Sequence, residues 1–355
     1  MAELIRKPRL YYENIDSVGR VDFVELRDGR SIAYKRSGHG EHTVFDFHGS
    51  PGGRNNPVPR NFVLNQLMLN VVTFDRPGYG YSSRNYGRKV ADTASDVEQM
   101  MDALKVDRTA VIARSGGGPH ALATAAKLGK RATALVGMSG LAPRYALNTW
   151  NNMTEDNKKK HDLARKDRDE LGRNMYSHAR SLMSNAMALL NHIAREFPNA
   201  DRLFFELNPG AAPDVARNHR DALITGAAGW VDDSVALNDL SWGFAPESIT
   251  CPSIFWHGSD DRFADVSHTH ALRELVPGSA SIISKGKGHF DSLTSVVPAL
   301  GYIGSRIAAE KRDGEPSQAS LEDLASLFQD QTILRLGEAP IRPEIVMHGS
   351  GQQAS

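Results

Sequence analysis

The sequence predicts an α/β protein: a mostly parallel central sheet with helices on both faces, interrupted by a helical insertion. Three observations predict it. Short apolar, β-branched runs alternate with helical patterns from about residue 43 to residue 137, the alternation of a parallel sheet covered on both sides. From about Pro143 the sheet-like runs stop, and Leu163, Leu171, Met175, Leu182, Met183, Ala186, Leu189, Leu190 and Ile193 recur at roughly helical spacing. Strands resume only at Ser253-Ile254-Phe255-Trp256, and the pattern closes on a long helical stripe through Ile307.

A chain of 355 residues, 40% of them hydrophobic, sustains one large domain with an insertion or two domains. Its 42 basic and 42 acidic side chains cancel, which gives no electrostatic draw toward nucleic acid or an anionic membrane. The single Cys251 excludes an internal disulfide framework and a cysteine metal cluster. It reads as a buried thiol before Pro252. Met1–Leu10 is charged and has no apolar core of a signal peptide, and no later run has the length of a membrane span. A soluble, cytoplasmic protein without nucleic-acid or membrane partners is expected.

Taken in order, Val21–Leu26 and Ser31–Lys35 flank the turn signal Asp28-Gly29 and read as an antiparallel hairpin. Thr43–Phe47 is the next strand and ends in His48-Gly49-Ser50-Pro51-Gly52-Gly53. A short helix over Phe62–Leu67 leads to a strand at Val71–Phe74 and the loop Asp75-Arg76-Pro77-Gly78-Tyr79-Gly80. Val97–Leu104 is an amphipathic helix, and Thr109–Ala113 and Ala132–Gly137 are strands. The expected division is a core of residues 20–142 and 247–308, a helical cap or lid of 143–246, and a linker with a C-terminal helical tail over 309–355. In that tail, Ser320-Leu321-Glu322-Asp323 resembles a capping box. The last residues, Gly349–Ser355, are expected to be disordered. Lys158-Lys159-Lys160 reads as a solvated face of the insertion.

The chemistry centres on Val111-Ile112-Ala113-Arg114-Ser115-Gly116-Gly117-Gly118-Pro119-His120. An apolar strand, a serine in a turn of small residues, and a helix describe a nucleophile elbow. A plain tight turn and an anion cradle are the alternatives. The Gly-x-Gly-x-x-Gly spacing and a Gly-Lys-Ser/Thr are absent, which disfavours the cradle. A serine hydroxyl needs a base, and the base an orienting acid. Asp261 follows a later strand and His289 follows the last one, so Ser115, Asp261 and His289 stand in a known chain order for this constellation. Asp260 is the rival acid. His48 and His257 read as loop supports and His120 as structural. Backbone N–H groups of Gly116 and Ser50 are placed to receive a developing oxyanion, with the Ser50 hydroxyl as a weaker third candidate.

These motifs resemble the α/β-hydrolase superfamily, its serine esterase/lipase-like group. They are HGSPGG at 48–53, DRPGYGYS at 75–82, ARSGGGPHALA at 113–123, WHGSDDRF at 256–263 and GKGHF at 286–290. The segment from Arg220 to Phe244 is similar to cap segments of that group. The resemblance covers about residues 20–308. It implies Ser115, Asp261 and His289 as the triad and the Ser50 and Gly116 N–H groups as the oxyanion hole. The serine argues against dehalogenase and epoxide-hydrolase activity, whose relatives carry an aspartate nucleophile. Ala113 stands where the elbow usually has glycine, and Phe263-Ala264 where many relatives have Val-Pro.

The expected function is hydrolysis of a small carboxylic ester or lactone through an acyl-enzyme. Alternatives are a thioesterase, or a proline-type aminopeptidase or amidase with Asp232, Asp233 or Glu247 receiving a free amine. An idle hydrolase fold that binds a ligand is the rival from another class. Tyr79, Met175, Leu182, Met183 and Leu190 are the expected pocket residues beneath the lid. No cofactor or metal is expected, since no HExxH or comparable cluster occurs. A homo-oligomer contact through the cap or the tail is the remaining expectation.

Overall fold

The computed structural model describes residues 21–147, 153–194, 197–313 and 344–347. Among the described residues, nine strands form one sheet in the order β1-β2-β4-β3-β5-β6-β7-β8-β9. They are β1 (Asp22–Glu25), β2 (Ser31–Ser37), β3 (His42–Phe47), β4 (Leu69–Phe74), β5 (Thr109–Arg114), β6 (Ala132–Met138), β7 (Ser253–Gly258), β8 (Ala280–Ser284) and β9 (Glu344–Met347). The pairs from β4 through β3 to β8 are parallel. The β1–β2, β2–β4 and β8–β9 pairs are antiparallel.

Alternation of side chains fills both faces of the sheet. Phe45, Phe47, Val111, Ala113, Leu135 and Phe255 enter one buried cluster, which the helices Asp92–Ala103 and Gly118–Leu128 cover with Val97, Met100, Met101 and Leu122. Val44, Ile112, Val136, Ile254 and Ile282 enter the other, under Leu64 of Asn61–Gln66 and Ala299, Leu300 and Ile303 of Val296–Asp313. Such strands are apolar on consecutive residues because neither face meets water.

From β3 the chain steps to β4 on one side, then crosses to β5 on the other. The order thus reverses between β3 and β5, and a crevice opens beyond their carboxyl ends, the usual place for a ligand in such sheets. His48–Ser50 and Ser115 occupy those two ends. The helices Glu155–Lys166, Arg168–Ala194, Asn199–Leu207, Ala211–Ala222 and Ala228–Asn238 form the insertion between β6 and β7. A non-helical residue, Asn185, breaks the longest of them.

Two features differ from the sequence reading. The helix starting at Val296 continues to Asp313, past the expected boundary at 309, because Ala308-Ala309-Glu310-Lys311-Arg312 are all strong helix formers. Within the expected helical tail, Glu344–Met347 is a strand paired with β8; four residues are too few to show a period. The motif Ser320–Asp323 and the stretches Met1–Leu10 and Gly349–Ser355 lie outside the described residues. Among the described residues no helix is long and apolar enough to cross a membrane.

Candidate active site

The turn after β5 is fixed by crowding. Ser115 adopts φ +51°, a left-handed conformation that costs a residue with a Cβ on the order of 1–3 kcal/mol. The next residues must be small: a Cβ at Gly117 would lie 2.4 Å from the Phe47 carbonyl oxygen, and one at Gly116 would lie 2.6 Å from Ser50 Oγ. The elbow is thereby pressed against the end of β3, with the Ser50 loop beside Gly116. Ala113, one of the small flanking residues, is fully buried in the strand.

His289 and Asp261 meet two strands away. His289 Nδ1 lies 2.7 Å from Asp261 Oδ2. The other carboxylate oxygen accepts the N–H groups of Phe263 at 2.8 Å and Ala264 at 2.9 Å. Burial pushes the Asp261 carboxyl up, but His289 and His257 outweigh it and hold the group well below the usual range. For His289, burial pulls the imidazole down, and the Asp261 charge and hydrogen bond overcome it and raise it above 6.5. A proton on Nδ1 facing a carboxylate leaves Nε2 as the basic nitrogen. Asp260 is exposed and accepts from Ser259 Oγ at 2.7 Å, so the buried partner of the imidazole is Asp261.

His257 is a support. Its Nε2 lies 2.7 Å from the Ala264 carbonyl and 3.2 Å from Asp261 Oδ2, and its Nδ1 lies 2.8 Å from Thr269 Oγ1. His48 likewise holds its own loop: Nδ1 meets the Gly49 carbonyl at 2.7 Å, and Nε2 accepts the Arg76 N–H at 3.2 Å. His120 is buried beside Thr93 Oγ1 at 2.9 Å, and burial pulls it down to about 4.

Against the Ser50 loop lies a buried ionic group whose pairing is no part of the sequence reading. Asp233, on the Ala228–Asn238 helix of the insertion, accepts from Arg76 Nη2 at 2.5 Å, Arg88 Nη2 at 2.6 Å, Tyr79 Oη at 3.0 Å and Ser50 Oγ at 2.7 Å. Burial pushes its carboxyl up, and Arg76, Arg88 and His120 more than reverse this, so it stays ionised. Arg76 Nη2 also donates to the Gly49 carbonyl at 3.2 Å and Ser50 Oγ at 3.0 Å. The Ser50 hydroxyl hydrogen is therefore committed to Asp233. One signal existed: Asp232 and Asp233 stand between Trp230-Val231 and Val235-Ala236-Leu237, and acids on an apolar helix need buried cations. Asp232 is similarly matched, by Arg84 at 2.7 Å and by Arg168. Glu247 is exposed.

The expected pocket residues fall in different places. Tyr79, Met175 and Leu182 are buried together in the interior of the insertion, with Leu171, Trp230 and Val231. Met183 is 43% exposed, and the side chain of Leu190 lies outside the described residues. The apolar groups beside His289 are instead aromatic. Its ring centroid is 5.3 Å from that of Phe263 and 5.8 Å from that of Phe290. Phe197 and Phe205 of the insertion pack on Phe290 at 5.2 and 4.8 Å.

A mostly parallel sheet with a strained elbow at its switch point, and a helical insertion leaving the sheet after β6, is the architecture of an α/β hydrolase. Comparison with known proteins agrees. A family model described as alpha/beta hydrolase fold matches residues 43–296, and the chain belongs to that family. An uncharacterized hydrolase of Bacillus subtilis, YcgS, is 23% identical over 293 residues, spanning 78% of this chain and 94% of that protein. A thermophilic esterase from Thermogutta terrifontis superposes with a TM-score of 0.58 at 15% identity, covering 82% of this chain and 99% of that one. The enol-lactonase from Burkholderia xenovorans LB400 superposes with a TM-score of 0.56 at 17% identity, covering 79% and 99%.

Proposed function

We propose that this hydrolase cleaves small carboxylic esters or lactones through a covalent acyl-enzyme on Ser115. The observation that carries the reading is the His289–Asp261 pair, 2.7 Å apart, beyond the same carboxyl-terminal end of the sheet as a serine held at positive φ. Ser115 Oγ attacks the carbonyl carbon while His289 Nε2 takes its proton. The oxyanion meets the main-chain N–H groups of Ser50 and Gly116. His289 then protonates the leaving alkoxide, and a water activated by the same nitrogen releases the acid. Phe263 and Phe290 offer apolar contact to the substrate beside the base. The esterase and lactonase among the structural neighbours accord with this choice.

The amine-binding alternative has less support, because Asp232 and Asp233 are each neutralised by two arginines. Labelling with a fluorophosphonate, lost in Ser115→Ala, tests the nucleophile. A panel of p-nitrophenyl esters, lactones, acyl thioesters and amino-acid arylamides tests the substrate class. A chain that neither labels nor turns over any of them would be a binding protein on a hydrolase fold.

A further inference from the structure

The insertion also reaches the loop that carries His289. Asp201, on the Asn199–Leu207 helix, has no exposed surface. Its Oδ1 accepts the main-chain N–H of Phe290 at 2.8 Å. A Cβ on Gly288 would lie 2.4 Å from that same oxygen. The carboxylate therefore sits against the backbone on both sides of His289. Its Oδ2 is buried without a hydrogen-bond partner. An ionisable group held this way is costly, and an acceptor for one N–H does not by itself require a carboxylate.

We propose that Asp201 is a positioning residue: it clamps the His289 loop from the insertion, so that the cap holds the general base in place. The proposal rests on the reading of His289 as that base. The titratable groups facing it are His289 and Asp261, with His257 behind Asp261. On the loop, Asp291 accepts the Gly288 N–H at 2.8 Å and pairs with Lys287 at 2.9 Å. Arg202 and Glu206, on the same helix, are exposed. Burial pushes the Asp201 carboxyl up to about 7, against the opposing pull of the Phe290 N–H and His289. The clamp thus changes charge near neutral pH, and its negative form favours the imidazolium.

The test uses the full chain, with NMR titration of His289 and steady-state kinetics on the best ester. Asp201→Asn keeps an acceptor for Phe290 but removes the charge, and the His289 midpoint should fall by about half a pH unit or more. Asp201→Ala removes both and should lose about tenfold or more in kcat with KM within about twofold, most of which Asp201→Asn recovers. An unchanged midpoint in Asp201→Asn, or parental kcat in Asp201→Ala, overturns the clamp. If Asp201→Ala does not fold, the Asp201→Asn titration decides alone. The titration needs no turnover, so an inactive parent chain would refute the hydrolase reading and still leave the midpoint to judge Asp201.

Discussion

Ser50 Oγ donates to Asp233 Oδ2 at 2.7 Å, joining residues 183 positions apart. One belongs to the loop after β3 and the other to the insertion. The hydroxyl is thus part of the support of the loop. Ser50→Ala keeps the main-chain N–H and should cost less than about tenfold in kcat, whereas a lost oxyanion donor costs about 10²–10³-fold. It should also lower stability by about 1 kcal/mol, read by urea denaturation. A hundredfold loss of kcat in a folded variant would return the hydroxyl to the oxyanion hole.

The two neighbouring acids after β7 should separate cleanly. Asp261→Asn deprives His289 of its carboxylate partner and should lower kcat by roughly 10³–10⁴-fold, the scale known for a mis-set imidazole tautomer. Asp260→Asn removes only the exposed hydrogen bond from Ser259 and should change kcat less than about threefold. Matched rate measurements on the best ester decide, and the reverse order would reassign the acid.

The acid limb of kcat/KM reports the base in the free enzyme. The proposed mechanism needs a neutral imidazole, and Asp261 holds His289 above 6.5. The midpoint of that limb should therefore lie above pH 6.5 and move down in Asp261→Asn. A pH–rate profile that is flat from pH 5 to pH 8 would contradict the assignment.

Asp201 makes a prediction about stability as well. Its folded value is raised from 3.8 to about 7, so between those values the folded chain binds a proton that the unfolded chain has lost. Its contribution is fully present below pH 3.8 and is lost as pH rises through 7. Asp201→Asn lacks this loss. The stability of the variant relative to the parent should therefore rise between pH 4 and pH 7 and level off above, by up to a few kcal/mol. Thermal melts across that range would show it, and a constant difference would disprove it.

The parallel part of the sheet was legible because its strands bury both faces and so carry their own signature, as in Val44-Phe45 or Val111-Ile112. The elbow was legible because so tight a turn takes small residues, and at Gly117 the Phe47 and His48 carbonyls leave no room for a Cβ. Long-range charge matching was not. Arg76 and Asp233 stand 157 residues apart, and nothing local pairs them. Asp201 is one acid in a polar stretch, and its burial comes from the loop it meets. The helical stripe also misled at one position: Leu182 is 3% exposed and Met183 43%, because consecutive residues on a helix point about 100° apart.

The strand Glu344–Met347 lies antiparallel along Ala280–Ile283, on the outer side of β8. Without it, that row of backbone donors and acceptors would face water as an open template. Sheets with such a border recruit strands from neighbouring molecules. The strand therefore takes up that row and becomes the border itself, only four residues long and so a poor template, whereas a chain cut after Asp313 would move the border inward to the strand leading to His289.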